Sequence, residues 1–144
     1  MKRDAERKRD DASYRLDMIA AADRIKARLR GITHAAFMRD DFLQDAIQMP
    51  MVRIVEAATN FTEAARQQYP DIPWHQIAGM RRFLVHVYWA TDPEAIWSAA
   101  VKDVPDLARA LRSHTLKKTS TQLDDEIARV LQHDAPKGKR RRRR

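Results

Sequence analysis

The side chains best suited to chemistry lie close together near the middle of the chain, in the order Arg81, Arg82, His86 and Tyr88. Histidine titrates near neutral pH and can transfer protons, whereas arginine is well shaped to hold a phosphate and to stabilise charge developing on it. A histidine could take the proton of an RNA 2′-hydroxyl or protonate the leaving oxygen, while an arginine neutralises the phosphorane. An arginine and a histidine often share a helix by chance, so the pair by itself does not establish a site.

Other catalytic signatures are absent from the sequence. The chain has no cysteine, which excludes disulfides, thiolate zinc sites and cysteine nucleophiles. It has neither of the common glycine-rich phosphate loops, and its five histidines lack metal-binding spacing. We therefore expect no metal and no cofactor.

A helix that starts at Pro73 is predicted to carry the candidate residues. At helical spacing, one stripe of this helix consists of Trp74, Ile77, Arg81, Leu84 and Tyr88. An arginine in an apolar stripe is costly unless it meets an anion, a partner subunit or a ligand. Five residues turn a helix through about 500°, so Arg81 and His86 should point about 140° apart. Either the helix loosens near His86, or the two groups meet those of a second subunit, or Arg82 is the nearer partner of His86.

The rest of the chain is also predicted to be helical. The first helix should begin at Ser13 as N-cap and end before Gly31, and a short helix should follow Thr33. The longest helix should run from Asp40 or Asp41 to about Gln68, kinked near Pro50. Further helices are predicted to start at Asp92, at 104–106 and at Ser120, the last with an apolar face whose packing stays open.

These elements predict an all-α, up-and-down helical bundle, because no strand pattern appears and only three glycines occur. We assign residues 1–136 to one domain and residues 137–144 to a disordered basic tail. Apolar residues are left over from the main stripe of the central helix, which suggests a homodimer: Phe83, Val85 and Trp89.

The net charge of +8 is concentrated at the end of the chain. Residues 137–144 supply seven positive charges, so residues 1–136 carry only 8 − 7 = +1. Such a tail attracts polyanions without sequence preference, and possible RNA contacts are Arg82, Lys137, Lys139 and Arg140. No apolar run is long enough to span a membrane, and no signal peptide is recognised, so we expect a cytoplasmic protein without a membrane partner.

The motif Arg81-x-x-x-x-His86-x-Tyr88 resembles that of the HepT family, the HEPN-type ribonuclease toxins that are paired with a minimal nucleotidyltransferase antitoxin. The resemblance covers about residues 13–112. It includes the proline–tryptophan turn at 69–74 and further matching segments in order and spacing at 37–40, 43–46, 54–57, 77–81 and 104–107.

This resemblance implies an all-α, HEPN-like fold, a dimer with the active cleft at its interface, and metal-independent RNA cleavage. It implies that Arg81 and His86 are catalytic, in the toxin of a type VII-like toxin–antitoxin pair. It also implies neutralisation by the nucleotidyltransferase antitoxin, which adenylylates the motif tyrosine, here Tyr88.

The chain departs from the family pattern at Arg82, where a small polar residue is usual, at Val55, where glycine is usual, and at Pro50 inside the long helix. One alternative is therefore a non-catalytic helical partner that only presents its tyrosine to the nucleotidyltransferase. Another is a structural dimer whose basic tail binds nucleic acid loosely.

Overall fold

The computed structural model describes residues 9–86, 92–117 and 120–133, without the side chains of residues 83, 85, 86, 132 and 133. Within these ranges the regular elements are all helical, so the predicted all-α bundle is confirmed there. A π-helical segment, Ala99–Asp103, joins the sixth helix to the seventh. The α-helices are α1 (Asp11–Arg28), α2 (His34–Met38), α3 (Asp41–Asn60), α4 (Glu63–Gln67), α5 (Trp74–His86), α6 (Pro93–Ser98), α7 (Val104–Ser113) and α8 (Ser120–His133).

At the start of several helices, a short polar side chain accepts a hydrogen bond from a backbone amide that is otherwise unpaired. The predicted caps Thr33, Asp40 and Asp92 are confirmed. The prediction that Ser13 caps α1 is wrong, because Asp10 accepts the amide of Ser13 at 2.8 Å and α1 therefore begins earlier.

The predicted long helix is shorter than expected. Pro50 lies inside α3 without ending it, but α3 ends at Asn60 and not near Gln68. Phe61 takes an extended conformation there, and the hydroxyl of Thr62 caps α4. The ring of Phe61 then packs against Tyr69 and Trp74, with centroids 6.4 and 5.3 Å apart. The break in the helix thus places three aromatic rings together beneath the start of α5.

The core is centred on α3, which packs against α1 and α5 and also touches α2 and α6, while α7 packs against α1. Buried apolar side chains from these helices form one cluster, whose fully buried members include Met18, Ile25, Phe37, Ile47, Met51 and Leu111. Because α3 contributes to the interior along most of its length, it fixes the relative positions of α1 and α5.

A polar network closes one end of the bundle. The guanidinium of Arg15 donates to the carbonyl of Leu111 at 2.7 Å and to the hydroxyl of Tyr69 at 3.1 Å. That hydroxyl donates in turn to the carbonyl of His114 at 2.9 Å, and the two rings stack. The last carbonyls of a helix lack partners within it, so this network joins the end of α7 to α1 and to the turn before α5.

The predicted helix that begins at Ser120 is confirmed as α8, but its apolar face is not buried. Every residue from 120 to 131 is exposed, including Leu123, Ile127, Val130 and Leu131. The boundary predicted at residue 136 and the tail at 137–144 lie outside the described residues. Among the helices that the structure describes, none is long and apolar enough to cross a membrane.

Two phenylalanines provide a matched test of this core. Phe37 is fully buried, with its ring centroid 5.2 Å from that of Trp97, whereas Phe42 is 85% exposed. We expect Phe37→Ala to lower the free energy of unfolding by about 3–5 kcal/mol, because it leaves a cavity. Phe42→Ala should change it by less than about 0.5 kcal/mol. Urea unfolding followed by circular dichroism measures both, and equal losses would contradict the assigned core.

Candidate functional site

Arg81 lies at the edge of the buried face of α5 and not in the middle of an apolar stripe. The first turn of α5 is set by Pro73, whose carbonyl accepts the amides of Gln76 and Ile77 at 3.0 and 3.1 Å. Ile77 is buried, while Met80 and Leu84 pack against the core as partly buried residues. The buried face is therefore turned towards Met80, which leaves the side chain of Arg81 51% exposed.

Of the three partners that the sequence allows for Arg81, an anion, a partner subunit or a ligand, the structure contains an anion, the carboxylate of Glu56 on the neighbouring helix. Arg81 Nε lies 3.2 Å from Glu56 Oε1 of α3, and the Glu56 side chain is 46% exposed. A half-exposed pair of this kind contributes less than about 1 kcal/mol to stability. The two Nη groups of Arg81 have no ion pair with another described residue.

Sequence reasoning did not identify Glu56 as part of the site. Its segment, 54–57, is one of those that carry the family resemblance, and Arg53 and Glu56 share the outer side of α3 at i, i+3 spacing. The spacing indicates that Glu56 lies on the outer side of α3, and the resemblance singles out its segment. They do not show that α5 is the helix that it faces.

His86 is the last residue of α5, and its side chain lies outside the described part of the structure. Because α5 is α-helical as far as His86, no loosening precedes this residue. The backbone positions of Arg81 and His86 are therefore about 140° apart around the helix axis. Pairing across two subunits and pairing of His86 with Arg82 both remain as explanations.

The other predicted site residues are only partly placed. Arg82 is exposed and has no ion pair with a described residue. Tyr88, Lys137, Lys139 and Arg140 lie outside the described residues. In the ranges that the structure describes, no three His, Asp or Glu side chains are grouped closely enough to hold a metal ion.

Two other histidines have structural partners. His34 Nε2 lies 2.6 Å from Glu94 Oε2, which joins α2 to α6. His114 stacks on Tyr69 with ring centroids 4.3 Å apart. Both positions are explained by packing at ends of the bundle, and neither is near Arg81 in the sequence.

Comparisons with known proteins identify the family to which the chain is similar. The family model described as "Ribonuclease HepT-like" matches residues 18–114. A Thermococcus cleftensis protein named "Probable ribonuclease HepT" is 31% identical over 100 residues, which cover 69% of this chain and 91% of that protein. A protein of Caldanaerobacter subterraneus subsp. tengcongensis, named as a predicted RNase, is 32% identical over 85 residues, covering 59% of this chain and 76% of the relative.

A third relative, from Methanocaldococcus jannaschii and also named as a predicted RNase, is 24% identical over 102 residues, which cover 71% of this chain and 94% of that protein. No solved structure matches the chain. The matched region contains α3, α5 and the Arg81–Glu56 pair, and the resemblance supports an RNA endonuclease activity. The chain belongs to the HepT-like ribonuclease family.

Proposed function

We propose that Arg81 and His86 form the cleavage site of a metal-independent endoribonuclease that acts as the toxin of a toxin–antitoxin pair. Family membership supports the reaction class. The observation that carries the assignment of Arg81 is its ion pair with Glu56, which holds the guanidinium at the surface of α5 with both Nη groups unpaired among the described residues. A half-exposed, oriented guanidinium is well suited to bind a phosphate with two parallel hydrogen bonds.

The proposed reaction is transesterification within the RNA backbone. The 2′-oxygen attacks the adjacent phosphorus, the bond from phosphorus to the 5′-oxygen breaks, and the products carry a 2′,3′-cyclic phosphate and a 5′-hydroxyl. One proton leaves the 2′-hydroxyl and one is delivered to the 5′-oxygen, and imidazole can perform either transfer near neutral pH. Arg81 stabilises the additional negative charge on the phosphorane.

We further propose that the complete site lies between two copies of the chain. The backbone positions of Arg81 and His86 lie about 140° apart around a continuous helix, so an arginine of one copy serving the histidine of the other would bring the two groups to one phosphate. A two-fold dimer also supplies two histidines, one for each proton transfer.

Regulation by adenylylation of Tyr88 completes the proposal. Tyr88 follows His86 by two residues, so an AMP group there adds bulk and negative charge next to the position where the RNA phosphate binds. The chain has only two other tyrosines. Tyr69 is 2% exposed with its hydroxyl bonded to His114, and the ring of Tyr14 is covered by Arg9.

The first test removes the two proposed catalytic groups. We expect His86→Ala to lower the rate of RNA cleavage by at least about 100-fold, because general acid–base catalysis is lost. Arg81→Ala should lower it by about 100- to 1,000-fold through loss of charge stabilisation. Arg109→Ala is the charge-matched control, since Arg109 lies on α7 and pairs with Asp106. Cleavage of a labelled RNA by purified protein and growth arrest on expression measure the effect.

Unaltered cleavage and unaltered toxicity of His86→Ala would refute the catalytic assignment. Intact RNA after incubation with the wild-type protein, combined with tyrosine modification by the nucleotidyltransferase, would instead establish the non-catalytic partner.

A second test concerns the carboxylate that orients Arg81. Glu56→Gln keeps the size of the side chain but removes the ion pair, so we expect kcat to fall about tenfold or more as Arg81 loses its fixed position. KM should not rise, because the site becomes more positive. Glu63→Gln in the first turn of α4 is the control. An unchanged kcat would show that Glu56 does not position Arg81.

A third test concerns regulation. Co-expression with an active nucleotidyltransferase should increase the intact mass of the wild-type chain by one or more AMP groups and abolish cleavage. Tyr88→Phe should stay unmodified and toxic, because it lacks the acceptor hydroxyl. Tyr14→Phe is the control and should be modified like the wild type. Modification of Tyr88→Phe, located by peptide mass spectrometry at another residue, would contradict the assignment.

A further inference from the structure

A polar groove between α1 and α3 lies beside the proposed cleavage site. Its volume is about 490 Å³, within the range of about 300–1,000 Å³ that is usual for small-ligand sites. Small side chains on both helices leave room for it, since the lining includes Ala20 and Ala21 of α1 and Ala57 of α3. The polar lining residues are Arg9, Tyr14, Asp17, Arg24, Arg53, Glu56 and Asn60.

Both acidic residues of the groove are already paired. Asp17 pairs with Arg9, and this hydrogen bond raises the pKa of Arg9 above its usual value. Glu56 pairs with Arg81 of α5. The groove therefore has two remaining cations, Arg24 and Arg53, without a carboxylate partner among the described residues.

Arg24 and Arg53 stand on opposite walls of the groove, one on α1 and the other on α3, and both are exposed. Two uncompensated guanidinium groups across a groove attract an anion, and guanidinium groups are well suited to phosphate. The aromatic face of Tyr14 is not free for base stacking, because Arg9 lies 5.2 Å above its centre. The groove thus favours a backbone phosphate over a base.

The groove is continuous with the proposed catalytic arginine. Glu56 both lines the groove and pairs with Arg81, and Arg53 lies three residues before Glu56 on the same side of α3. A strand whose scissile phosphate lies at Arg81 would therefore meet Arg53 first and then Arg24.

A larger groove on the other side of α1 differs in its lining and is not continuous with the Arg81–Glu56 pair. It has a volume of about 730 Å³, is bounded by α1, α7 and the π-helical segment, and has no lining residue from α3 or α5. Its floor is mainly apolar, and Arg112 of α7 pairs across it with Asp23 of α1. Two of its cations, Lys26 of α1 and Arg30 in the turn after α1, have no ion pair with a described residue, so they provide a charge-matched control.

We propose that the α1–α3 groove is a phosphate-binding subsite, in which Arg24 and Arg53 hold the backbone of single-stranded RNA next to the phosphate cleaved at Arg81. This inference rests on the proposed function for the identity of the strand. It requires contact with the sugar–phosphate backbone only, so the subsite binds RNA without sequence preference.

The test measures RNA binding separately from cleavage. The probe is a fluorescently labelled single-stranded RNA oligonucleotide with 2′-O-methyl groups, which lacks the 2′-hydroxyl needed for the proposed reaction. We expect the Arg24→Gln/Arg53→Gln double variant to bind it at least about tenfold more weakly than the wild type. The dependence of log K on log salt should become shallower by about 1.4, since each single-strand phosphate contact contributes about 0.7.

The control is Lys26→Gln/Arg30→Gln, which removes the same charge from the other groove, at Lys26 of α1 and at Arg30 in the turn that follows α1. It should retain wild-type affinity within about twofold and the wild-type salt dependence. Single variants Arg24→Gln and Arg53→Gln should each give part of the loss. Circular dichroism and sedimentation equilibrium check that all variants keep the wild-type fold and oligomeric state, and the single variants decide the question if the double variant does not fold.

Equal losses in the two double variants would overturn the subsite, because they would show attraction by overall charge alone. Unchanged binding by Arg24→Gln/Arg53→Gln would also overturn it, as would a wild-type chain that does not bind the oligonucleotide. If the proposed cleavage is wrong but the subsite exists, the wild type cleaves no RNA while the two double variants still differ in binding.

Discussion

The packing of α5 against α3 is the constraint on which the candidate site depends. Burial of a Val, Leu or Ile side chain contributes about 1.5–3 kcal/mol, and this contact buries Ile54 and Val55 on one helix and Ile77 on the other. The Arg81–Glu56 ion pair is half-exposed and contributes far less. Apolar packing therefore places the arginine, and the ion pair only decides how its guanidinium is turned.

The start of α5 depends in turn on the aromatic cluster below it. Trp74 begins the helix with its indole nitrogen donating to the carbonyls of Arg66 and Tyr69, both at 3.2 Å, while Phe61 packs on its ring. These contacts require the chain to leave α3 at Asn60 and form the short α4. α3 thus ends early because Trp74, at the start of α5, packs on Phe61 and donates to the carbonyls of Arg66 and Tyr69.

Much of this fold could be predicted from local sequence features. The apolar periodicity predicted the helices, and the caps at Thr33, Asp40 and Asp92 follow from short polar side chains at helix starts. The end of α3 was missed because Phe61 continues the apolar period in phase, so the pattern gave no sign of a break. Glu56 was missed for a different reason, since its role depends on which helix lies opposite, and that is decided by contacts between residues distant in the sequence.

The charges of the chain divide into two groups with different physical effects. Residues 137–144 carry seven of the net eight positive charges, and such a run attracts polyanions without sequence preference. At physiological ionic strength this attraction is screened beyond about 8 Å, so under the proposed function it would not select where a strand lies. Arg24, Arg53 and Arg81 instead sit on helices fixed by the core, and their effect is confined to phosphates in direct contact. Because residues 1–136 have a net charge of only +1, a strand bound as proposed would be positioned by these few arginines and not by the overall field.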